Sequence, residues 1–277
     1  MQLQSAKERF EKQGLKLAAI SYDSQAILKD FAARHQIDFP LLADPDSKII
    51  RSYNVLNPEA TGMTKGMAFP GFYFIDPNGV IREKYFTVKY TDRLTANNVV
   101  AKLFPELAAE VSQNVDAPHL RLTVSQSDQS VIAGGRVSLI ADLELPPDVH
   151  VYSPGVQGYR PVQLTLHSLP GVEFQPVSYP SPTTLYLPAI KEQVPVFEGR
   201  FRISQDVTVN PAKIADALRA LISADKKVTI TGDLAYQACD KTVCYPPTSV
   251  PVTWQLRVVP LDLKRSPDAI QHKAPPK

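Results

Sequence analysis

Cysteine is nearly absent from this 277-residue chain, which contains only Cys239 and Cys244. Two thiols exclude a disulfide-dense scaffold, and they leave a zinc site two ligands short, because His119, His150 and His167 lack finger-like spacing. Charge of one sign is also lacking: the net charge is +2, which gives no electrostatic case for nucleic acid or an anionic membrane. No apolar run reaches the roughly 18–20 residues of a membrane span. No signal-peptide h-region is read after Met1. A phosphate cradle is excluded at residues 57–68, where Gly62, Lys65 and Gly66 are followed by no helix start. There is no internal repeat, and no motif calls for a cofactor.

The remaining composition is that of an ordinary folded chain, 44% apolar and 21% charged, with material for two cores. Proline marks the boundary between them. Of 25 prolines, six lie before residue 116 and nineteen after it. The change from helical periodicity to Pro-punctuated alternation places a junction near residues 114–118. The expected organisation is a first domain over 1–115, a second over 116–260, and a disordered tail over 261–277.

The first domain reads as α/β with a mixed sheet. A helix ends before Gly14, and residues 15–22 form a nearly continuous apolar run, typical of a strand covered on both faces. Ile27, Leu28, Phe31 and Ala32 recur at helical spacing after Asp23 or Ser24, either of which suits the cap. Arg34 and His35 then complement the helix dipole. Asp46 suits the cap of a short helix carrying Ile49, Ile50 and Tyr53, and Asp44 beside it reads as capping rather than as a metal ligand. Residues 70–76 and 80–86 read as strands joined by the turn Asp76-Pro77-Asn78-Gly79. A helix over 91–104, with Leu94, Val100 and Leu103, closes the domain.

From His119 the period becomes two. Leu120, Leu122 and Val124 alternate, as do Val137, Leu139, Ala141 and Leu143, then Val162, Leu164 and Leu166. Shorter strands are expected at 172–174, 194–197 and 201–203. Val228, Ile230 and Leu234 lead into the cysteines, and Val252, Trp254, Leu256 and Val258 lead away. Such spacing predicts an antiparallel sandwich, with one inserted helix from Asn210-Pro211 bearing Ile214, Leu218 and Leu221.

The cysteines lie in Tyr236-Gln237-Ala238-Cys239-Asp240-Lys241-Thr242-Val243-Cys244-Tyr245-Pro246-Pro247. A C-x4-C pair on adjoining strand ends can bring its Cα atoms within the roughly 4.4–6.8 Å a disulfide needs. Spacing alone leaves open a structural staple, two buried thiols, or a redox pair. No helix N-terminus depresses a thiol pKa there, Lys241 offers positive potential and Asp240 opposes it, so the pair reads as a modest nucleophile. Tyr152 and Tyr236 read as core aromatics or as neighbours of the pair.

Tyr-Gln-Ala-Cys, then Cys-Tyr-Pro-Pro, then a strand containing Trp254, resembles the N-terminal periplasmic domain of the bacterial thiol:disulfide interchange protein DsbD. The resemblance extends through Leu145-Pro146-Pro147-Asp148-Val149-His150-Val151-Tyr152 and the Pro-rich residues 179–188, covering about 116–259. It implies an immunoglobulin-like fold, a periplasmic location, and a pair that cycles between dithiol and disulfide. It implies mixed-disulfide formation through Cys244 with a thioredoxin-like protein or membrane electron donor, and resolution by Cys239. It also implies a cap loop, placed at Thr183-Thr184-Leu185-Tyr186-Leu187, with Leu185, Tyr186, Tyr236 and Tyr245 as cap or docking residues. The family's reference member has a slightly longer loop between its cysteines, so its redox poise is not carried over.

Pro-x-x-x-Phe-Ile-Asp-x-x-Gly, starting at Pro70, resembles the redoxin (AhpC/TSA) branch of the thioredoxin-like superfamily, which includes the peroxiredoxins. The similarity covers about residues 1–110. It implies a cis peptide bond before Pro70, where partners dock. It also implies that a first strand and an active-site cysteine lie upstream of Met1, since this half has no thiol. The expected function is a thiol:disulfide oxidoreductase or electron relay working through Cys239 and Cys244. The alternatives are a non-catalytic binding module with a structural disulfide and a peroxiredoxin-like antioxidant protein.

Overall fold

Alternating apolar residues at period two build the long strands of the second half of the chain. In the computed structural model, residues 2–88, 93–105, 111–132, 134–187, 191–209, 227–259 and 264–272 are described. Contacts divide the chain into two units, Met1–Val100 with Leu261–Lys277, and Ala101–Pro260.

The first unit runs α1 (Gln2–Lys12), β1 (Ala19–Ser21), α2 (Gln25–His35), β2 (Leu41–Ala43), α3 (Lys48–Ser52), β3 (Gly71–Ile75), β4 (Ile81–Phe86), β5 (Arg93–Leu94) and the start of α4 (Ala96–Leu103). Strands β1 and β2 pair in parallel and β3 and β4 pair antiparallel, as separate two-stranded sheets. Ser24 caps α2, its hydroxyl accepting from the Ile27 amide at 3.4 Å. The carboxylate serving α3 is Asp44 rather than the expected Asp46: it accepts from the amides of Lys48 at 3.0 Å and Ile50 at 2.9 Å.

Three expectations for this unit need correction. The strand at 15–22 is only three residues long, and it is not covered on both faces. Ile20 and its register partner Leu42 are 41% and 51% exposed, because a two-stranded ribbon leaves the face they share open to solvent. The bond before Pro70 is trans, no cis peptide occurring among the described residues. Pro70 leads into β3, the ordinary place for a residue with no amide to donate, and its carbonyl accepts from the Thr87 amide at 3.1 Å. Residues 264–272, read as part of a disordered tail, are held on α2 and on the turn that follows β1. Ser266 donates to Asp30 at 2.8 Å, and His272 Nε2 lies 2.7 Å from Asp23 Oδ1 with its ring stacked on Tyr22. Those partners come together only once the chain has folded, so composition could not reveal them.

The second unit holds the end of α4, β6 (Ser112–Val115), β7 (Arg121–Gln126), β8 (Ser130–Ile132), β9 (Gly135–Glu144), β10 (His150–Tyr152) and β11 (Gln163–Leu166). After these come β12 (Val172–Ser178), β13 (Thr183–Leu187), β14 (Glu192–Glu198), β15 (Arg200–Val209), β16 (Lys227–Tyr236), β17 (Ala238–Cys239) and β18 (Thr248–Val259). One sheet has the order β12-β15-β9-β7-β6 and a second the order β11-β16-β18-β8. They share a single apolar core. Leu122, Val137, Leu139, Ala141, Leu143 and Ile203 enter it from the first sheet, and Ile230, Leu234, Val252, Trp254 and Leu256 from the second. Trp254 keeps its indole N–H satisfied inside this core by donating to the Ser125 carbonyl at 2.8 Å. Gly232, opposite Leu166, lets β11 approach: a Cβ there would meet the Thr165 carbonyl oxygen at 2.5 Å. The helix expected from Asn210 lies outside the described residues.

A third sheet, β13-β14-β10-β17, completes the unit. It carries the cysteines.

Candidate functional site

Strand β16 delivers the chain to the site and then hands it to another sheet. Up to Tyr236 the strand pairs with β18; after Gln237, Ala238 and Cys239 pair with β10 instead. That switch settles the orientation of both residues. Ala238 enters the main core together with Val151 and Phe197, while Cys239 points to the opposite face. There it joins Tyr152, Val194 and Val196 in a smaller cluster covered by Val156, Tyr159, Leu185 and Leu187.

The chain reverses tightly between the cysteines. Cys239 and Cys244 face each other as an isolated antiparallel bridge, with Cα atoms 4.0 Å apart, and are joined by a disulfide. The Asp240 amide donates to the Val243 carbonyl at 2.9 Å, and the Tyr245 amide to the Ala238 carbonyl at 2.9 Å. Asp240 holds the turn from within. Its carboxylate accepts from the Thr242 amide at 2.7 Å, the Thr242 hydroxyl at 2.7 Å, the Val243 amide at 2.8 Å and the Tyr245 hydroxyl at 2.9 Å. These donors, the Thr242 amide first, hold its carboxyl well below the usual carboxylate range. Lys241 is ion-paired with Asp148 at 2.6 Å.

The two sulfurs differ in access. Cys239 is 1% exposed, whereas Cys244 lies at the surface. The hydroxyl of Tyr152 lies 3.9 Å from the sulfur of Cys239 and 4.0 Å from that of Cys244. Neither sulfur of a disulfide carries a proton, so this hydroxyl is the donor to both. Burial raises the pKa of Tyr152 and keeps it protonated.

The residues expected to cap or dock fall into different places. Thr183–Leu187 is not a loop but strand β13, paired along its length with β14. Period two therefore turns Leu185 towards the sulfur cluster, while Tyr186 is 53% exposed. Tyr236 belongs to the main core and donates to the Pro118 carbonyl at 2.7 Å. Its burial pushes its pKa up to about 12. Tyr245 flanks the disulfide, stacked on His119 with ring centroids 3.7 Å apart. Pro70 lies in the first unit.

Comparison with known proteins follows the same division. Residues 121–254 match the family "Thiol:disulfide interchange protein DsbD, N-terminal", and residues 1–84 match the AhpC/TSA family. The chain is 49% identical over 47 residues to peroxiredoxin tpx1 of Schizosaccharomyces pombe, covering 17% of this chain and 22% of that one. It is 36% identical over 84 residues to peroxiredoxin TSA1 of Saccharomyces cerevisiae, covering 28% and 40%. The chain thus spans well under half the length of these curated relatives. Among solved structures, the N-terminal periplasmic domain of ScsB from Proteus mirabilis aligns with a TM-score of 0.35 and 14% identity, covering 50% of this chain and 49% of that one. The Neisseria meningitidis DsbD N-terminal domain in its reduced form aligns with a TM-score of 0.25 and 14% identity, covering 42% and 75%.

Tyr159 went unnoticed in the sequence, and His150 was weighed there only as a zinc ligand and as part of the DsbD-like stretch. Tyr159 stacks on Tyr152 at 4.3 Å between ring centroids and donates to Glu192 at 2.8 Å, a bond that pushes its pKa up to about 12. His150 is buried with its Nε2 unpartnered. Tyr159 gave no signal beyond the glycines around it. His150 stood two residues before Tyr152, a spacing that in a strand puts both on one face. Among the described residues, no helix is long and apolar enough to cross a membrane.

Proposed function

We propose that the protein is a thiol:disulfide oxidoreductase or electron relay whose working pair is Cys239 and Cys244. One observation carries this reading: the disulfide joins an exposed sulfur to a buried one, with a tyrosine hydroxyl near both. A partner thiolate attacks the accessible Cys244 sulfur, the Cys239–Cys244 bond breaks, and Cys239 leaves as a thiolate beside the Tyr152 donor. The partner's second thiol then attacks the mixed disulfide and releases Cys244. The net change moves two electrons and two protons to the pair and leaves a disulfide on the partner.

Similarity to DsbD N-terminal domains supports a periplasmic site of action, an immunoglobulin-like sandwich, and a thioredoxin-like protein or DsbD-type membrane donor as partner. The AhpC/TSA-type segment has no cysteine, so no peroxidase step is assigned to it. The test mixes the native chain with a reduced thioredoxin-like protein, and each single-cysteine variant with the disulfide form of that protein, whose bond supplies the oxidising equivalents. Cys239→Ser is expected to accumulate a mixed disulfide through Cys244, and Cys244→Ser to trap far less. If the native pair is not reduced and neither variant traps a partner, the disulfide is a structural staple and the reading fails.

A further inference from the structure

The outer face of the third sheet carries a second reactive group beside the sulfurs. In β10, His150 is opposite Cys239 of β17 on one side and opposite Glu198 of β14 on the other. Directly opposed residues of antiparallel strands project from the same face with Cβ atoms about 4.5–5.5 Å apart. Carboxylate, imidazole and sulfur therefore form one row across three adjacent strands. Tyr152, two residues on, shares the face and meets the His150 ring edge-on at 5.4 Å.

His150 is 4% exposed, and its Nε2 has no hydrogen-bond partner. A buried polar atom left unpaired calls for an explanation. In the disulfide, Cys239 has no proton to share; in the dithiol it has one.

We propose that His150 is the proton acceptor for the Cys239 thiol, which makes it a proton-handling residue of this redox pair. The inference rests on the redox reading above. When the dithiol reduces a protein disulfide, Cys244 is first joined to the partner in a mixed disulfide. The imidazole then takes the Cys239 proton, and the thiolate attacks the Cys244 sulfur. The Cys239–Cys244 bond forms as the bond to the partner sulfur breaks. The partner leaves as a thiolate, and the proton passes from the imidazolium to it or to water. In the reverse direction the imidazolium protonates the departing Cys239 thiolate.

Burial lowers the pKa of His150, leaving it neutral and able to accept at neutral pH, while the charges of Glu198 and Asp240 oppose that shift. Those carboxylates, with Tyr152 on its own strand and Cys239 opposite, are the ionisable groups that set its titration. Tyr159, held by Glu192, stands beyond Tyr152.

The test titrates Cys239 alone, in the full chain carrying Cys244→Ala, by thiolate ultraviolet absorbance between about pH 5 and 9. No partner takes part, so failure here is distinguishable from failure of disulfide exchange. Adding His150→Phe or His150→Gln is expected to lower the thiolate fraction at neutral pH about tenfold, a one-unit shift. Phe keeps the bulk and Gln the polarity, so a packing role would survive in one of them. Coincident titrations in all three proteins overturn the proposal. In the unsubstituted chain, the His150 ring proton followed by NMR is expected to titrate with a midpoint at least about half a unit different in disulfide and dithiol forms, as coupled groups do. That measurement decides the matter if the variants do not fold, and equal midpoints overturn the proposal.

Discussion

On one face of the third sheet, Val151, Phe197 and Ala238 enter the apolar core of the sandwich. On the other, His150, Tyr152 and Cys239 surround a disulfide whose second sulfur is open to solvent. The two sets alternate along the same short strands. The inner face holds the sheet in place, and the outer face, released from that task, carries polar groups that would be costly in a core. Stability and exchange chemistry should therefore respond to different substitutions, one residue apart.

The largest effect is expected on the inner face. Phe197, 4% exposed and stacked on Phe201, should cost about 3–5 kcal/mol when replaced by alanine. Denaturant midpoints check the loss, and the exchange rate per folded molecule should hardly change. A variant that keeps its stability but loses exchange would break the division. On the outer face, Tyr152→Phe should do the reverse, slowing reduction of the disulfide roughly three- to tenfold for a stability change within about 1.5 kcal/mol. Stopped-flow mixing with a dithiol protein reads the first quantity and chemical denaturation the second. Leu185→Ala trims the cover over Cys239 and should cost about 1–2 kcal/mol, with a modest gain in reduction rate. An unchanged rate would show that Leu185 does not limit access.

The smallest effect is electrostatic. The folded Asp240 carboxyl titrates below its ordinary value of 3.8, so its contribution to the turn is complete above that value. The contribution is lost as pH falls through the depressed folded value. Thermal midpoints of the native chain should fall more steeply than those of Asp240→Asn in this acid range and run parallel to them at neutral pH. Parallel curves throughout would mean the carboxylate's four hydrogen bonds do not stabilise the turn.

Much of the sandwich was legible because burial imposes its own period. Val137, Leu139, Ala141 and Leu143 alternate in sequence and all enter the core, as do Ile230, Leu234, Trp254 and Leu256. Strand lengths were less legible. The short run expected at 201–203 is ten residues of β15, since a central strand is held by two neighbours even where its polar positions break the pattern. Thr183–Leu187 was placed as a cap loop by resemblance alone, yet pairing with β14 made it a strand.

The sequence by itself determined the alternating core strands and the placing of both thiols on one short hairpin. Each of these follows from local spacing, and spacing is written in the chain. Which way the sulfurs face was decided only by the tertiary structure. The switch of partner strand at Gln237 turns Cys239 away from the core that Ala238 enters. Strand register then aligns it with His150 and Glu198, residues 89 and 41 positions away in the chain. Such alignment depends on which strands pair and in what register, and no local spacing encodes either.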